Sequence, residues 1–175
     1  KNLMRQELAE KALKLYGLNY ERILTVEKGY RNHIFPVVLK DGSIVQLTLY
    51  KSEPAIEARI KRADTVSAYV AAKGLPARIR IDPRMVYLKS TTKEIIGALY
   101  NYLPGKTIAW EAYTKTHLKQ LGKIMSDLHA ALRDFDTSRQ ISVIDEQSAL
   151  LERMERYFES PDVKKAMTDK LSLSF

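Results

Sequence analysis

The stretch from Glu94 to Gly105 constrains the fold more than any other part of the sequence. It starts as an apolar segment typical of a β-strand, Glu94 to Tyr100, and it stops at Pro104-Gly105, which can neither continue a strand ladder nor start a regular helix at once. Mostly short strand patterns precede the stretch, and only helical patterns follow it. We therefore predict that it joins a sheet-rich lobe to a helical lobe, with a ligand-binding cleft between them. The alternative is an ordinary edge strand that ends in a turn.

The composition is that of a folded globular chain. Hydrophobic residues make up 45% of the chain and charged residues 29%. A length of 175 residues suffices for one core or two small lobes. The formal net charge of +8 favours an anionic partner such as a nucleotide. Nucleic acid is not expected as a partner, because Lys and Arg are scattered and form no compact basic run with interleaved aromatic residues. No apolar run is long enough to span a bilayer, so a membrane is not expected either.

The absence of cysteine excludes disulfides and thiolate metal ligands. The spacing of His33, His117 and His129 matches no zinc motif, so no metal site is predicted. The sequence also begins without the pattern of a secretory signal peptide. Together these features predict a cytoplasmic protein.

Hydrophobic periodicity predicts one helix and then an antiparallel meander. The helix covers residues 2–16 and has an apolar stripe at Met4, Leu8, Ala12 and Leu15. The Gly that follows the helix is a natural C-terminal stop. The strands of the meander are predicted over residues 20–28, 34–39 and 44–50.

The remaining strands complete a five-stranded antiparallel sheet. Pro36 cannot donate a ladder hydrogen bond and favours an edge position for the second strand. Asp41-Gly42 is the hairpin signal between the second and third strands. A helix over residues 56–70 is inserted after the third strand, and Gly74-Leu75-Pro76 ends it. The last two strands are predicted over residues 85–89 and 94–100.

Three helices are predicted after the joining stretch. One is predicted to be buried because its apolar residues recur every three or four positions, and a second, over residues 144–158, is predicted to face inward. Ser160-Pro161 marks the start of a short third helix. The apolar positions are Leu118, Leu121, Met125, Leu128 and Leu132 in the first helix and Leu150, Leu151, Met154, Tyr157 and Phe158 in the second. The predicted division is an N-terminal helix (1–17), a sheet lobe (18–103) and a helical lobe (104–175).

This order of elements resembles the small lobe of a protein-kinase-like fold, in the α+β class, followed by the first helices of an incomplete helical lobe. At the residue level the sequence resembles the choline/aminoglycoside phosphotransferase family over roughly residues 18–132. The residues that carry the resemblance are Gly29-Tyr30-Arg31-Asn32-His33-Ile34, Ile44-Val45-Gln46-Leu47-Thr48-Leu49, Tyr69-Val70-Ala71-Ala72-Lys73-Gly74-Leu75-Pro76, Leu99-Tyr100-Asn101-Tyr102-Leu103-Pro104-Gly105 and Leu121-Gly122-Lys123-Ile124-Met125-Ser126-Asp127-Leu128-His129.

The resemblance implies transfer of the γ-phosphoryl group of ATP to a hydroxyl acceptor, with Mg²⁺ bridging the phosphates. It places phosphate contacts in the first turn, where a glycine lets the backbone approach closely and Arg31 adds charge. A plain hairpin turn is the alternative for these residues. The resemblance places adenine against main-chain atoms near Asn101 and Leu103. The alternative is that Tyr100, Tyr102 and Leu103 are packing residues. The implied nucleotide-binding residues are Gly29, Tyr30, Arg31, Asn32, Thr48, Asp64, Asn101, Tyr102 and Leu103.

One departure from the family concerns the third strand. In that family, this strand usually carries a Lys or Arg that reaches the phosphates and pairs with an acidic residue on the next helix. Thr48 stands at that position, and Asp64 stands near the acidic one. Lys51 points to the opposite face of an ideal strand and is an alternative cation only where the strand bulges or ends.

The other departure is the absence of the catalytic segments. No His-Gly-Asp loop with its downstream Asn is present, and Asp134-Phe135-Asp136 lacks the glycine of the metal-binding motif. We therefore assign no catalytic residue and expect residues 1–175 alone to be inactive. A non-catalytic kinase-like binding module is the alternative. Helices that lack partners are also expected to cause self-association.

Overall fold

Five strands form one antiparallel sheet in the computed structural model, which describes residues 2–24, 32–89 and 94–171. The strands are β1 (Tyr20–Ile23), β2 (His33–Leu39), β3 (Ile44–Lys51), β4 (Val86–Lys89) and β5 (Glu94–Asn101), and their order in the sheet is β1-β2-β3-β5-β4. The helices of the described residues are α1 (Asn2–Tyr16), α2 (Ile56–Ala72), α3 (Lys115–Leu132), α4 (Val143–Glu159) and α5 (Pro161–Leu171), with a 3₁₀ turn at Trp110–Ala112. The α+β class and the sheet with one inserted helix are confirmed.

The chain forms two compact units, residues 1–135 and residues 136–175. The first contains the sheet and the helices α1, α2 and α3, and the second contains α4 and α5. In the second unit, Ser160 accepts from the N–H of Val163 and Pro161 is the first helical residue of α5, so that predicted helix start is confirmed.

The helix α1 packs on one face of the sheet, against β3 and β4. Side chains alternate along a strand, and Val45, Leu47 and Leu49 of β3 lie on this face. Gly97 of β5 lies there too, and a Cβ atom on it would be 2.6 Å from Val86 Cγ2. The residues that α1 buries in this core are Leu8, Ala9, Ala12, Leu13 and Tyr16.

The predicted apolar stripe of α1 is wrong at Leu15. Leu15 is 53% exposed, whereas Leu13 is fully buried. Two alanines lie at the centre of the buried stripe, and small side chains there let the helix approach the sheet closely. The contact is therefore centred on Ala9, Ala12 and Leu13, and Leu15 falls on the solvent side.

The helix α2 packs on the opposite face. Ile60 joins a second core cluster with Tyr50 of β3 and with Ile96, Ala98 and Tyr100 of β5. This confirms that the joining stretch belongs to the sheet as far as Asn101 and that the inserted helix covers the sheet. Gly74, at a φ of +87°, ends the helix in the left-handed conformation that glycine favours, and the N–H of Leu75 donates to the carbonyl of Val70.

The edge position predicted for β2 is wrong, because β2 lies between β1 and β3. The N–H of Leu24 donates to the carbonyl of Pro36 at 2.9 Å, but Pro36 has no N–H with which to return the bond. The ladder between β1 and β2 stops at this pair, and β1 ends at Ile23. An interior strand thus accommodates the proline where its neighbour ends.

The burial predicted for the later helices is also wrong. No residue of α3 or α4 is fully buried, and Leu118 and Leu121 of α3 are 51% and 48% exposed. In α4, Leu151 and Tyr157 are 60% and 61% exposed. Both helices are amphipathic as expected, but the apolar side chains predicted to be buried are largely exposed. The expected self-association therefore stays a prediction.

Buried Tyr16 is expected to make stability fall at alkaline pH. Its hydroxyl donates towards the carbonyls of Gly97 at 2.9 Å and Arg84 at 3.0 Å, and burial, reinforced by nearby Asp82, raises the pKa of Tyr16 to about 12. Since the folded pKa lies above the ordinary value of 10.0, this stabilisation is complete below pH 10.0 and is lost as the pH rises towards about 12. Urea unfolding across this range should show a steeper decline for the wild type than for Tyr16→Phe. Equal slopes would contradict this prediction.

Candidate nucleotide-binding site

The end of β5 is fixed by the side chain of Asn101. Its Oδ1 accepts from the N–H of Ile79 at 2.6 Å, and its Nδ2 donates to the carbonyl of Ala77 at 3.4 Å. The main-chain N–H of Asn101 donates to the carbonyl of Ile79 at 3.0 Å. These bonds hold the extended segment at residues 77–81 beside the end of β5.

Tyr102 and Leu103 leave the sheet directly after β5. Tyr102 is half-buried, and Leu103 is 41% exposed. Among residues 2–24, 32–89 and 94–171, no group accepts a hydrogen bond from the main-chain N–H of Leu103. This donor is therefore available to a ligand at the position to which the family resemblance assigns adenine.

Thr48 is buried on the face of the sheet that α2 covers. It is 1% exposed, and its Oγ1 accepts from Nε2 of Gln46 at 3.4 Å. Thr48 therefore places no charge on this face. Lys51 is exposed at the last position of β3, where the strand ends, and it lines the pocket described below.

Asp64 of α2 pairs with arginines and not with a lysine of β3. Its Oδ2 accepts from Nη2 of Arg80, and its Oδ1 lies 3.9 Å from Nη2 of Arg78. The side chains of Asp64 and Arg80 are only 15% and 12% exposed. Burial by itself lowers the pKa of Arg80, but Tyr100 and Asp64 outweigh burial and raise the pKa of Arg80 above its usual value.

Tyr100 lies at the centre of this polar cluster and is completely buried. Its hydroxyl is 3.0 Å from that of Tyr50, and Nη2 of Arg80 donates to it at 3.4 Å. The guanidinium carbon of Arg78 lies 3.9 Å from the centre of the Tyr100 ring, within the range of a cation–π contact. Burial and the hydrogen bond with Tyr50 raise the pKa of Tyr100, so the ring stays neutral at physiological pH.

A pocket of about 200 Å³ opens between α2 and the end of β3. Lys51, Arg59 and Arg78 give it a positive lining, and Glu53, 3.6 Å from Arg59, is the acidic residue among those that line it. Such a lining favours anionic ligands. The lining residues are Asn32, Tyr50, Lys51, Glu53, Ile56, Arg59, Ile60, Ala63 and Arg78.

The residues predicted to contact phosphates are described only in part. Gly29, Tyr30 and Arg31 lie outside the described residues. Asn32 is half-buried at the start of β2 and lines the pocket. The pocket therefore borders the end of the turn to which the resemblance assigned phosphate contacts.

Sequence reasoning missed Arg78 and Arg80. The sequence does contain a pattern that could have indicated them. Charged and apolar residues alternate in Arg78-Ile79-Arg80-Ile81, as they do in a half-buried β-strand. Alternation places both guanidinium groups on one face. Only the return of the segment to the end of β5, next to Asp64 of α2, could show which face that is.

The described part of the chain has neither a cluster of metal-ligating side chains nor a membrane-spanning helix. Residues 2–24, 32–89 and 94–171 contain no cluster of three or more His, Cys, Asp or Glu side chains placed to hold a metal ion. In the same residues, every helix is too short or too polar to cross a membrane.

The antiparallel sheet, the helix α2 after β3 and the passage from β5 to helices define a protein-kinase-like fold. A solved structure with this fold is the amicoumacin kinase hAmiN in complex with AMP-PNP, Ca²⁺ and Ami. The TM-score is 0.59 and the sequence identity is 13%, over 86% of this chain and 54% of the kinase. The chain therefore spans about half the length of that kinase. No protein-family model and no curated protein matches the sequence.

Proposed function

We propose that this chain is the nucleotide-binding portion of an ATP-dependent small-molecule phosphotransferase. The parent protein would transfer the γ-phosphoryl group of ATP to a hydroxyl acceptor. The observation that carries the proposal is a positively lined pocket on the α2 face of the sheet, in a protein-kinase-like fold. The N–H of Leu103 after β5, which makes no hydrogen bond to the described residues, adds to it. The amicoumacin kinase supports it, because that protein was solved with AMP-PNP.

Two segments of the chain have separate proposed roles in binding the nucleotide. The turn at residues 29–32 contacts the phosphates, and the segment Asn101–Leu103 contacts adenine through main-chain atoms. Thr48 lies opposite Ala98 on the α2 face, and Asp64 supports the cluster of Arg78, Arg80 and Tyr100. The described residues supply no acidic cluster that fits Mg²⁺, so we assign no metal ligand in this chain. We also propose that the protein is cytoplasmic. The proposed boundary between the sheet lobe and the helical lobe follows residue 103.

The free N–H of Leu103 gives a direct test of the adenine contact. Leu103→Pro removes this donor, whereas Leu103→Ala keeps it, so the two variants form a matched pair. We expect isothermal titration to show ATP and adenosine binding to the wild type and to Leu103→Ala. Binding to Leu103→Pro should be about fivefold weaker, as expected for the loss of one hydrogen bond of about 1 kcal/mol. Equal affinity of the two variants would contradict the adenine contact.

The same preparations test the expected inactivity. Incubation of the wild type with ATP and a set of alcohol acceptors should produce no phosphorylated alcohol. Turnover by the purified chain would refute the expected inactivity.

A non-catalytic kinase-like module is the second candidate function. The uncharged Thr48 favours it, because a nucleotide kinase of this fold is expected to have a cation there. A chain that binds neither ATP nor adenosine would support this module and overturn the nucleotide proposal.

A further inference from the structure

Position 48 of β3 supplies no cation to the α2 face, so phosphate binding on this face needs a cation from another position. Thr48 is buried and uncharged, and its hydroxyl is hydrogen-bonded within the strand to Gln46. The α2 face nevertheless carries two guanidinium groups from the segment at residues 77–81, which lies beside β5 and not in β3.

The two arginines differ in what they bind. Arg80 donates to Oδ2 of Asp64 and to the hydroxyl of Tyr100, so its hydrogen bonds lie inside the protein. The guanidinium of Arg78 makes no hydrogen bond within residues 2–24, 32–89 and 94–171, although its side chain is only 29% exposed. A guanidinium has five N–H donors, which can pair with the oxygens of an anionic ligand.

The position of Arg78 is nevertheless well defined. Its guanidinium stacks 3.9 Å above the ring of buried Tyr100, and Asp64 Oδ1 lies 3.9 Å from its Nη2. That carboxylate oxygen is buried and has no hydrogen-bond partner among the described residues. Arg78 is therefore oriented by a ring and a charge, and it lines the pocket without a hydrogen bond to the described residues.

The pocket supplies the remaining features of an anion site. Lys51 and Arg59 line it together with Arg78, and Tyr50 and Asn32 add polar groups. Arginine binds phosphate oxygens with two parallel hydrogen bonds, which a lysine cannot reproduce.

We propose that Arg78 binds the phosphate groups of a nucleotide in this pocket and replaces the cation missing at Thr48. This inference rests on the proposed nucleotide-binding function and adds the residue that binds the phosphates. Lys51 and Arg59 flank the same groups and contribute less, since both are more exposed than Arg78.

The test compares Arg78→Met and Arg78→Lys with Arg153→Met, which removes the same charge from the exposed face of α4. Binding of ATP, adenosine and inorganic triphosphate is measured by isothermal titration for each protein. We expect Arg78→Met to weaken ATP and triphosphate binding at least tenfold and to leave adenosine binding within twofold. Arg78→Lys should lose part of the phosphate affinity, and Arg153→Met should bind all three probes as the wild type does.

The outcomes separate the two proposals. Unchanged ATP and triphosphate affinity in Arg78→Met overturns the role of Arg78 and leaves the proposed function standing. Triphosphate binding that needs Arg78, without adenosine binding, supports the anion site and overturns the nucleotide function. A wild type that binds none of the three probes overturns both. Arg78→Lys retains the charge, so a loss of binding in this variant with an unchanged thermal unfolding midpoint supports the two-pronged contact.

Discussion

Replacing Leu13 with Ala is expected to destabilise the sheet-containing unit by about 3 kcal/mol, as for other fully buried leucines. Leu13 is completely buried between α1 and the sheet, in the same cluster as Leu47 and Leu99. The truncation removes apolar contacts and leaves a cavity that the β-sheet cannot easily close. Urea unfolding followed by circular dichroism measures the loss.

Leu15→Ala is the matched control, because it makes the same chemical change in the same helix. Leu15 is 53% exposed, so we expect its truncation to change the free energy of unfolding by less than about 0.5 kcal/mol. Comparable losses for the two variants would mean that α1 does not pack on the sheet through the Leu13 side.

Replacing Asp64 with Ala is expected to lower the free energy of unfolding by about 3 kcal/mol. The change leaves Arg80, whose side chain is 12% exposed, without its carboxylate and close to a second guanidinium at Arg78. Two neighbouring positive charges without a counter-charge are then partly buried together. Urea unfolding at neutral pH measures this effect.

The control for net charge is Asp127→Ala, which removes an exposed carboxylate that pairs with Lys123 on α3. Such a surface pair contributes about 0.5 kcal/mol at most. The double variant Asp64→Ala with Arg80→Met should lose less stability than the sum of the single variants, by about 1.5 kcal/mol or more. Strict additivity would contradict the pairing of Asp64 with Arg80.

Much of the fold could be predicted because its signals are local. The helix α1 has the predicted bounds, and the observed β3 extends only one residue beyond the predicted strand. The Asp41-Gly42 turn has a φ of +84° at Gly42, and Oδ1 of Asp41 accepts from the N–H of Ser43. Periodicity and turn chemistry depend on residues that are close in sequence.

Burial was predicted less well, because it depends on what lies opposite a helix. The apolar stripe of α3 is present, yet Met125 is 49% exposed. The periodicity of an amphipathic helix shows which face is apolar but not whether a partner covers it. For the same reason, periodicity alone assigned Leu15, and not Leu13, to the buried side of α1.

The nucleotide-binding residues named from the sequence remain predictions, and Arg78 and Arg80 were not among them. Asp64 was expected to support the site, and the structure places its carboxylate against Arg80 and near Arg78. Neither arginine could be assigned from the sequence, because both lie in a segment without regular secondary structure apart from one bridge between Arg80 and Tyr100.

The sequence by itself determined the order of strands and helices, the hairpin turn and the uncharged residue on β3. The tertiary structure alone decided which side of α1 is buried, that Pro36 lies in an interior strand, and that Arg78 faces a pocket. The physical reason is the separation along the chain. The hydroxyls of Tyr50 and Tyr100 meet across 50 residues, and Asp64 meets Arg80 across 16. The pairing of β3 with β5 brings the two tyrosines together, and the position of the segment at residues 77–81 beside α2 brings Arg80 to Asp64.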